Sequence, residues 1–463
     1  MKDHSLSWKT GPIYKEVVII GNGPSGLALS YILSGRWPYY NGQPHPDPML
    51  TLRLQSLSRS HSLLEQDLAF LSQGIEGRGS SAVGSLLDAM LHPGADQGLD
   101  LDPLIEWRCH KRIDHVVIGK GPPGGAWQAM DSNILTLSLS SWMELPGMRF
   151  EEWEKEAYSN SKGNRRVRVS KVAKYYQDYV HKQRTKFFRL ARYQRRGLAT
   201  SVTRYDEVIN DFSDKKINWK IEVEDSFGRK LCYYSRCVVL ATGTNDCPNR
   251  LGISGENLSW VHHDLKELEK ELVENKEKEP MLVVGAGLSA SDAVLACRRS
   301  GCHVYHVFRR PNVAVDKMLP PSMYPEYHKV QEMMLNHHET FPGYTAFPGY
   351  TLQEMTEEYN PEKRKLVKIE SISGDSAVLE VCSAAILIGS RPNLDFFKHK
   401  GIGVFEGEID SRSNPIDIDP FTYELRSQPF MYALGPITGD NLVRYILGGV
   451  TAVAAHLNTS LNS

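Results

Sequence analysis

Gly21, Gly23 and Gly26 follow the apolar run Glu16-Val17-Val18-Ile19-Ile20 and match G-x-G-x-x-G, with Pro24 and Ser25 opening the segment beyond. Glycines at this spacing have three uses: a tight turn, close backbone approach to a pyrophosphate, and close packing of helix on strand. Helix-terminal N–H groups and the helix dipole then favour phosphate. A lone match is also compatible with an ordinary strand–helix turn, but here the pattern recurs about 260 residues on, where Met281-Leu282-Val283-Val284 runs into Gly285-Ala286-Gly287-Leu288-Ser289-Ala290. Two such turns suggest two nucleotides, one that stays bound and one that comes and goes, as when a nicotinamide reduces a flavin. The strand after the second turn, His303–Phe308, ends in Arg309-Arg310. An NAD site places a carboxylate there for the ribose 2′-OH, whereas arginine suits a 2′-phosphate. NADPH is therefore expected, with a solvated surface pair as the plain alternative.

Three further stretches carry groups that could line the first nucleotide. Gly119-Lys120-Gly121-Pro122-Pro123-Gly124-Gly125-Ala126-Trp127 has backbone bare enough to lie flat on a planar ligand, with Trp127 to cover it. Leu240-Ala241-Thr242-Gly243 ends an apolar strand, and a last strand, Phe430–Leu434, ends at Gly435. Gly439-Asp440-Asn441 then opens a final helix over about 441–457. Asp440 either caps that helix or bonds a ribityl chain, the positive helix end facing the flavin.

These turns need strands to hold them. The expected strands are 16–20, 114–118, several over 198–240, 281–284, 303–308, 384–388 and 430–434, with helices after the glycine turns. The first crossover is interrupted by an insertion over 36–112. Its start, 36–48, is rich in proline and turn residues. Leu54, Leu57, His61, Leu64, Leu68 and Leu71 then make one stripe at helical spacing, which either packs on its own domain or serves a protein partner. A helix over 81–91 and a Gly/Asp-rich loop over 93–103 follow. Residues 164–196 read as a basic helix, 245–264 as a linker, and 265–279 as a charged surface helix. Residues 311–380 are irregular, with Phe-Pro-Gly-Tyr-Thr at 341 and again at 347 read as paired turns. The expected division is a FAD domain over 1–264, an NADPH domain over 265–380 and the rest of the FAD domain over 381–463. The fold class is α/β: two Rossmann-type dinucleotide-binding domains, the NADPH domain inserted into the FAD domain.

The composition narrows the field. With 463 residues and a net charge of −1, electrostatics give no reason to expect nucleic acid or an anionic membrane surface. No apolar window is long enough for a membrane span, and Met1-Lys2-Asp3-His4-Ser5 lacks the apolar run of a secretion signal. Seven dispersed cysteines fit a reducing, cytoplasmic setting. Nothing points to a metal.

The two turns, Gly124-Gly125-Ala126-Trp127 and Leu240-Ala241-Thr242-Gly243 resemble the flavin-containing monooxygenase and N-hydroxylase superfamily. The chain is more closely similar to the oxidative-stress-induced growth inhibitor family over nearly its whole length, insertion included. Segments of that likeness are Val18–Gly26, Gly119–Trp127, Ser141-Trp142-Met143-Glu144-Leu145-Pro146-Gly147, Tyr324-Pro325-Glu326-Tyr327-His328-Lys329-Val330 and Asn414-Pro415-Ile416-Asp417-Ile418-Asp419. The resemblance implies FAD and NADPH as cofactors and a monooxygenase in which a C4a-hydroperoxyflavin made with molecular oxygen is attacked by a soft nitrogen or sulfur nucleophile, on a small molecule or a protein side chain. No protein nucleophile is required. Trp127, Ser140, Trp142 and Met143 are candidates for the pocket that keeps water from the flavin, with core packing the alternative for the large side chains. The resemblance also implies restraint of proliferation and roles in cell death and cytokinesis, with the midbody or nucleus as possible sites.

The chain departs from the superfamily in several places. The acid that ends the second strand and holds the FAD ribose is missing, and Gly119 and Lys120 stand in its place. The segment Leu135–Trp142 resembles the N-hydroxylase loop beside the flavin but lacks the substrate-binding lysine. The linker with His262 and His263 matches the monooxygenase signature only loosely. Two other readings remain: a flavin disulfide reductase using Cys232/Cys237 or Cys297/Cys302, which have C-x₄-C spacing, and a regulatory protein on a degenerate flavoenzyme scaffold that binds partners through the 54–71 stripe.

Overall fold

The computed structural model describes residues 11–462 except 76–80, 100, 160–161, 187–193, 206–211, 311–317, 337–340, 359–363 and 399–400. Met1–Ser5 lies outside the described residues. The chain forms two compact units, residues 1–245 with 392–463, and residues 246–391.

In the first unit, β1 (Ile13–Ile20) runs into α1 (Pro24–Leu33), which has Pro24 in its first turn, where the missing N–H costs nothing. Next come β2 (Arg36–Tyr40), α2 (Pro48–Gln55), α3 (Leu68–Leu71), α4 (Ala82–Leu91) and β3 (Ile105–Cys109). The core sheet resumes at β4 (His115–Gly119), parallel to β1. After α5 (Phe150–Tyr158) and α6 (Val169–Lys186), β5 (Gln194–Arg204) starts parallel to β4 and then turns antiparallel to β6 (Trp219–Asp225). In β7 (Lys230–Leu240) the first half pairs antiparallel with β6 and the second half lies parallel to β1.

The chain then builds the second unit from β8 (Cys247–Pro248), β9 (Val261–His262), α7 (Leu265–Glu274), β10 (Met281–Val284), α8 (Leu288–Arg299), β11 (Val304–Phe308), α9 (Pro325–Leu335), β12 (Tyr344–Pro348), β13 (Tyr350–Glu357), β14 (Lys365–Ser371), β15 (Ser376–Glu380), β16 (Ser383–Ile386) and β17 (Ser390–Arg391). It returns to the first unit with β18 (Glu424–Leu425), β19 (Gln428–Ala433), parallel to the end of β7, and α10 (Ile446–Ser460).

Strand periodicity divides the first core. Val17 and Ile19 face a cluster formed with α1, α6, α10 and the insertion, whereas Val18 and Ile20 face Val202, Trp219, Ile221 and Val223 of the antiparallel strands. The second unit repeats the scheme with a five-stranded parallel sheet, β12-β11-β10-β16-β9. α7, α8 and α9 cover one face, and β13-β14-β15 covers the other. This is the expected α/β class, with the second dinucleotide-type unit interrupting the first.

Several elements differ from the sequence reading. Residues 36–40 are a strand paired with β3, not turns. The 54–71 stripe is not one helix. α2 ends at Gln55, Leu63–Glu65 is a short 3-10 turn and α3 is a single turn. Asp47, Ser62 and Asp67 each accept a backbone N–H at the start of a separate piece, and that local capping breaks the helix. Leu54, Leu64, Leu68 and Leu71 are buried in the unit's own core. The basic 164–196 segment ends as a helix at Lys186 and is already strand at Gln194. The Val261–His262 part of the linker and Ser383–Ile386 both pair within the second unit's sheet, so the units part near 245 and 391 rather than 264 and 380. The irregular 311–380 region contains α9 and the β13–β15 sheet. The final helix starts at Ile446, with a 3-10 turn over Val443–Tyr445 before it.

Candidate functional site

In the first unit β1, β4, β7 and β19 are parallel, so the segments that leave their C-terminal ends converge. Gly21 has φ 118°, and a methyl carbon on it would stand 2.0 Å from the Ala241 carbonyl oxygen, just beyond β7. One on Gly26 would stand 2.1 Å from the Gly21 oxygen. The first and third glycines are therefore sealed by backbone. Gly23, the N-cap of α1, is open: the nearest atom to a Cβ there would be the Gly125 Cα at 4.0 Å, and no side chain caps the helix. Its neighbour Pro24 starts the helix and Ser25 is buried under Gly435, where a Cβ would meet the Ser25 Oγ at 2.6 Å.

The 119–127 loop lies on this turn. The Gly124 N–H donates to the Asn22 carbonyl at 2.9 Å, and the Asn22 Nδ2 donates to the Gly121 carbonyl at 2.8 Å. Gly121 and Gly243 present open backbone. Lys120 is exposed at the end of β4, and Thr242 is half-buried beyond β7. The turn, the 119–127 loop and the segment after β7 thus meet through backbone, and Gly23, Gly121 and Gly243 among them have no side chain or backbone crowding their Cα. The ribose end does not follow the usual pattern, because Gly119 carries no acid and Asn22 crowds its Cα.

The candidate pocket residues are linked to the 119–127 loop through Trp127 and Tyr176. Trp127, on a 3-10 turn over Gly125–Gln128, is half-buried with its ring 6.3 Å from that of Tyr176. The Tyr176 hydroxyl donates to the Met143 carbonyl at 3.1 Å. Met143 is buried in the core, while half-buried Trp142 has the Arg444 guanidinium 4.5 Å from its ring centroid. The buried Ser140 Oγ lies 3.3 Å from Asn164 Oδ1. Burial pushes the neighbouring Glu144 carboxyl up to about 7, against the opposing pull of the Phe150 N–H it accepts.

Asp440 is not a helix cap. The N-cap of α10 is Tyr445, so no helix N-terminus starts at Asn441. Asn441 is exposed, with its Nδ2 on the Gly439 carbonyl at 3.0 Å. Asp440 is only 2% exposed, and its Oδ2 accepts from the Tyr423 hydroxyl at 2.9 Å.

The second unit builds the same turn. Gly285 has φ 131°, and a Cβ on it would stand 2.3 Å from the Leu387 carbonyl oxygen, beyond β16. Gly287 is the open N-cap of α8, Leu288 and Ser289 are exposed, and Ala290 is buried. Arg309 and Arg310 are exposed just beyond β11, which lies beside β10. His306, which the sequence reading passed over, is fully buried on β11. Its Nε2 is 2.7 Å from the Gly285 carbonyl and its Nδ1 is 2.9 Å from the Tyr344 hydroxyl. Burial lowers it to about 4, so the ring is neutral: Nε2–H donates to Gly285 and Nδ1 accepts from Tyr344. A lone polar residue in an apolar strand was the available signal.

The cysteines are all free. Cys232 and Cys237 both lie on β7, Cys297 is near the end of α8, and Cys302 follows it. Burial raises all four thiols, Cys237 to about 12, which disfavours the thiolate that disulfide exchange needs. Among the described residues no helix is long and apolar enough to cross a membrane.

Residues 203–408 match the family model of pyridine nucleotide-disulphide oxidoreductases. Among solved structures the chain is similar to a bacillithiol disulfide reductase from Bacillus cereus (TM-score 0.61, 18% identity, 96% of this chain and 99% of that one). It is also similar to a flavin-containing monooxygenase from Stenotrophomonas maltophilia (TM-score 0.55, 13% identity, 97% and 99%). At these identities the likeness is one of fold. Two human proteins are much nearer. Oxidative stress-induced growth inhibitor 2 is 39% identical over 96% of this chain and 93% of its own length. Oxidative stress-induced growth inhibitor 1 is 37% identical over 98% and 97%. With two such relatives matching over more than nine-tenths of each chain, the chain belongs to the oxidative stress-induced growth inhibitor family.

Proposed function

We propose that the chain is an NADPH-consuming flavin monooxygenase, with FAD held at the Gly21–Gly26 turn and NADPH at the Gly285–Ala290 turn. The observation that carries this reading is the repeated cradle. In each unit the first glycine is sealed by a carbonyl just beyond a parallel strand, at 2.0 Å for Ala241 and 2.3 Å for Leu387, while the second glycine is open. Arg309 and Arg310 are the groups assigned to the 2′-phosphate, and Asp440 to the ribityl chain. Lys120, Gly125, Thr242, Gly243, Gly435 and Asn441 complete the FAD contacts.

A bound flavin supplies hydride acceptance and oxygen activation. Two electrons from NADPH and one O₂ deliver one oxygen atom to a soft sulfur or nitrogen, and the other leaves as water. The chain's part is to bind, orient and keep the site dry. Trp127 and Trp142 form the wall, backed by buried Met143, Ser140 and Tyr176. Monooxygenation is favoured over disulfide reduction by the raised thiols of the two cysteines on β7, one half-buried and one buried, and of the two buried cysteines at the end of α8 and just after it. A regulatory role through the 54–71 stripe has no continuous helix to act through, and most of its leucines face inward.

The test uses purified protein reconstituted with FAD. NADPH oxidation should be matched by transfer of one atom from isotopically labelled O₂ to a thioether or amine probe. A colourless protein that takes up no flavin would sink the reading. A yellow protein that turns NADPH entirely into peroxide would remove the monooxygenase step alone.

A further inference from the structure

The insertion leads to Asp440, assigned above to the ribityl chain, through a chain of hydrogen bonds. Ser81, the N-cap of α4, accepts the Gly84 N–H at 3.0 Å. The Tyr423 hydroxyl lies 2.7 Å from the Ser81 Oγ and 2.9 Å from the Asp440 Oδ2. Tyrosine has one hydroxyl proton and a carboxylate only accepts. The Tyr423 proton therefore goes to Asp440, and the Ser81 proton goes to the Tyr423 oxygen. The donors run in one direction, from the first turn of α4 to the carboxylate, an arrangement in which each bond polarises the next.

Two independent features hold Tyr423 in that place. Its backbone sits at φ 58°, a left-handed conformation unusual for a bulky side chain. Asp419, at the end of the family-like 414–419 segment, imposes it: its side chain accepts the Phe421 and Thr422 N–H groups at 2.9 Å each, and its carbonyl accepts the Tyr423 N–H at 2.8 Å. In addition, α10 carries two adjacent glycines where helix stability favours other residues. A Cβ on Gly449 would stand 2.5 Å from the Tyr423 ring, and one on Gly448 would stand 2.3 Å from the Gly84 Cα. One glycine makes room for the ring and the other lets α4 sit on α10, backbone against backbone. The same α4 also presents Asp88 to the Arg444 Nε, and Arg444 covers Trp142.

We propose that the insertion is an internal positioning element for the flavin site, in which Ser81 acts through Tyr423 to orient the Asp440 carboxylate toward the ribityl chain. Ser81 and Tyr423 are positioning residues. The inference rests on the FAD reading above, and it assigns the insertion a role within the chain.

FAD titration into apo-protein, followed by flavin fluorescence, tests it with five variants: Tyr423→Phe, Asp440→Asn, the double variant, Ser81→Ala and Ser81→Thr. Tyr423→Phe should weaken FAD binding about tenfold, as expected for a lost bond to a charged group, and Ser81→Ala, which loses the neutral bond behind it, about fivefold. Ser81→Thr, which keeps the hydroxyl, should bind like wild type. The double variant should be no weaker than Asp440→Asn, because the tyrosine acts only through that carboxylate. A general packing defect would instead make the two losses add. Unchanged affinity in a yellow Tyr423→Phe protein, or additive losses, would overturn this inference while leaving the FAD reading intact. A wild-type protein that takes up no FAD would overturn both. If Tyr423→Phe fails to fold, the contrast between Ser81→Ala and Ser81→Thr decides: equal affinities overturn the proposal.

Discussion

Asn22 fills the space beside Gly119: its Cγ lies 2.1 Å from where a Cβ on residue 119 would stand, and its amide donates to the Gly121 carbonyl at 2.8 Å. The missing ribose acid and Asn22, the middle residue of the first glycine pair, are thus two sides of one contact. A carboxylate at the end of β4 would have to displace the Asn22 side chain, and the loop after β4 would lose its side-chain tie to the turn, keeping only the Gly124 N–H on the Asn22 carbonyl. Gly119→Glu is therefore expected to lose about 1–3 kcal/mol of stability through overpacking, with no gain in FAD affinity. Combining it with Asn22→Ala should recover stability and tighten FAD. Urea unfolding and flavin titration measure both. Tighter FAD binding by the single variant at full stability would show that the ribose site does not depend on Asn22.

Arg309 and Arg310 stand exposed beyond β11, next to the strand that ends in the second turn. If they bind a 2′-phosphate, the joint Arg309→Ala/Arg310→Ala change should lower kcat/KM for NADPH by about tenfold or more while barely moving that for NADH. Steady-state rates with the two nucleotides give the ratio. Equal losses with both would refute the 2′-phosphate assignment, and no loss with either would assign the pair to the solvated surface.

Neutral His306 gives the second unit a pH signature. Its folded value of about 4 lies below its ordinary 6.5. Between these values the unfolded chain binds a proton that the folded chain refuses. Stability is therefore present above pH 6.5 and lost as pH falls toward 4, by roughly 3 kcal/mol from this ring. Glu144 runs the other way. Its folded value of about 7 exceeds its ordinary 4.5, so its contribution falls as pH rises through that window. His306→Phe should be less stable near neutrality, because it strands the Gly285 carbonyl and the Tyr344 hydroxyl. It should also show a shallower loss toward acid. Urea unfolding at several pH values checks the slope, and an unchanged slope would mean that the ring charges in the fold.

What was legible in the sequence was local. The apolar runs before Gly21 and Gly285 and the strand at His115–Ile118 follow from strand composition and turn chemistry over a few residues. The fold class followed from their repetition. The leucine stripe misled because its 3–4 spacing was satisfied by leucines on three short capped pieces, each packing inward for its own reasons. Arg36–Tyr40 reads as turn because of Pro38, yet a two-stranded ribbon tolerates a proline. The sequence leaves Asp440 between a cap and a ribityl ligand because nothing nearby names its partner: Tyr423 is 17 residues back in the chain, and the Ser81 behind it lies 342 residues before Tyr423. Neither link leaves a periodic trace in the sequence.

The seat of α4 on α10 can be tested without flavin. A Cβ on Gly448 would stand 2.3 Å from both the Gly84 Cα and its N, and backbone cannot give way as a side-chain tip can. In an isolated helix, Gly→Ala would add up to about 1 kcal/mol of stability. Gly448→Ala should instead destabilise the first unit by about 1–3 kcal/mol, because the two helices are forced apart. The displaced α4 would take the Asp88–Arg444 pair with it, so proteolysis within the insertion should speed up as the thermal midpoint drops. An alanine at 448 that raises the midpoint, as helix propensity alone would have it, would show that the helices need no glycine where they touch.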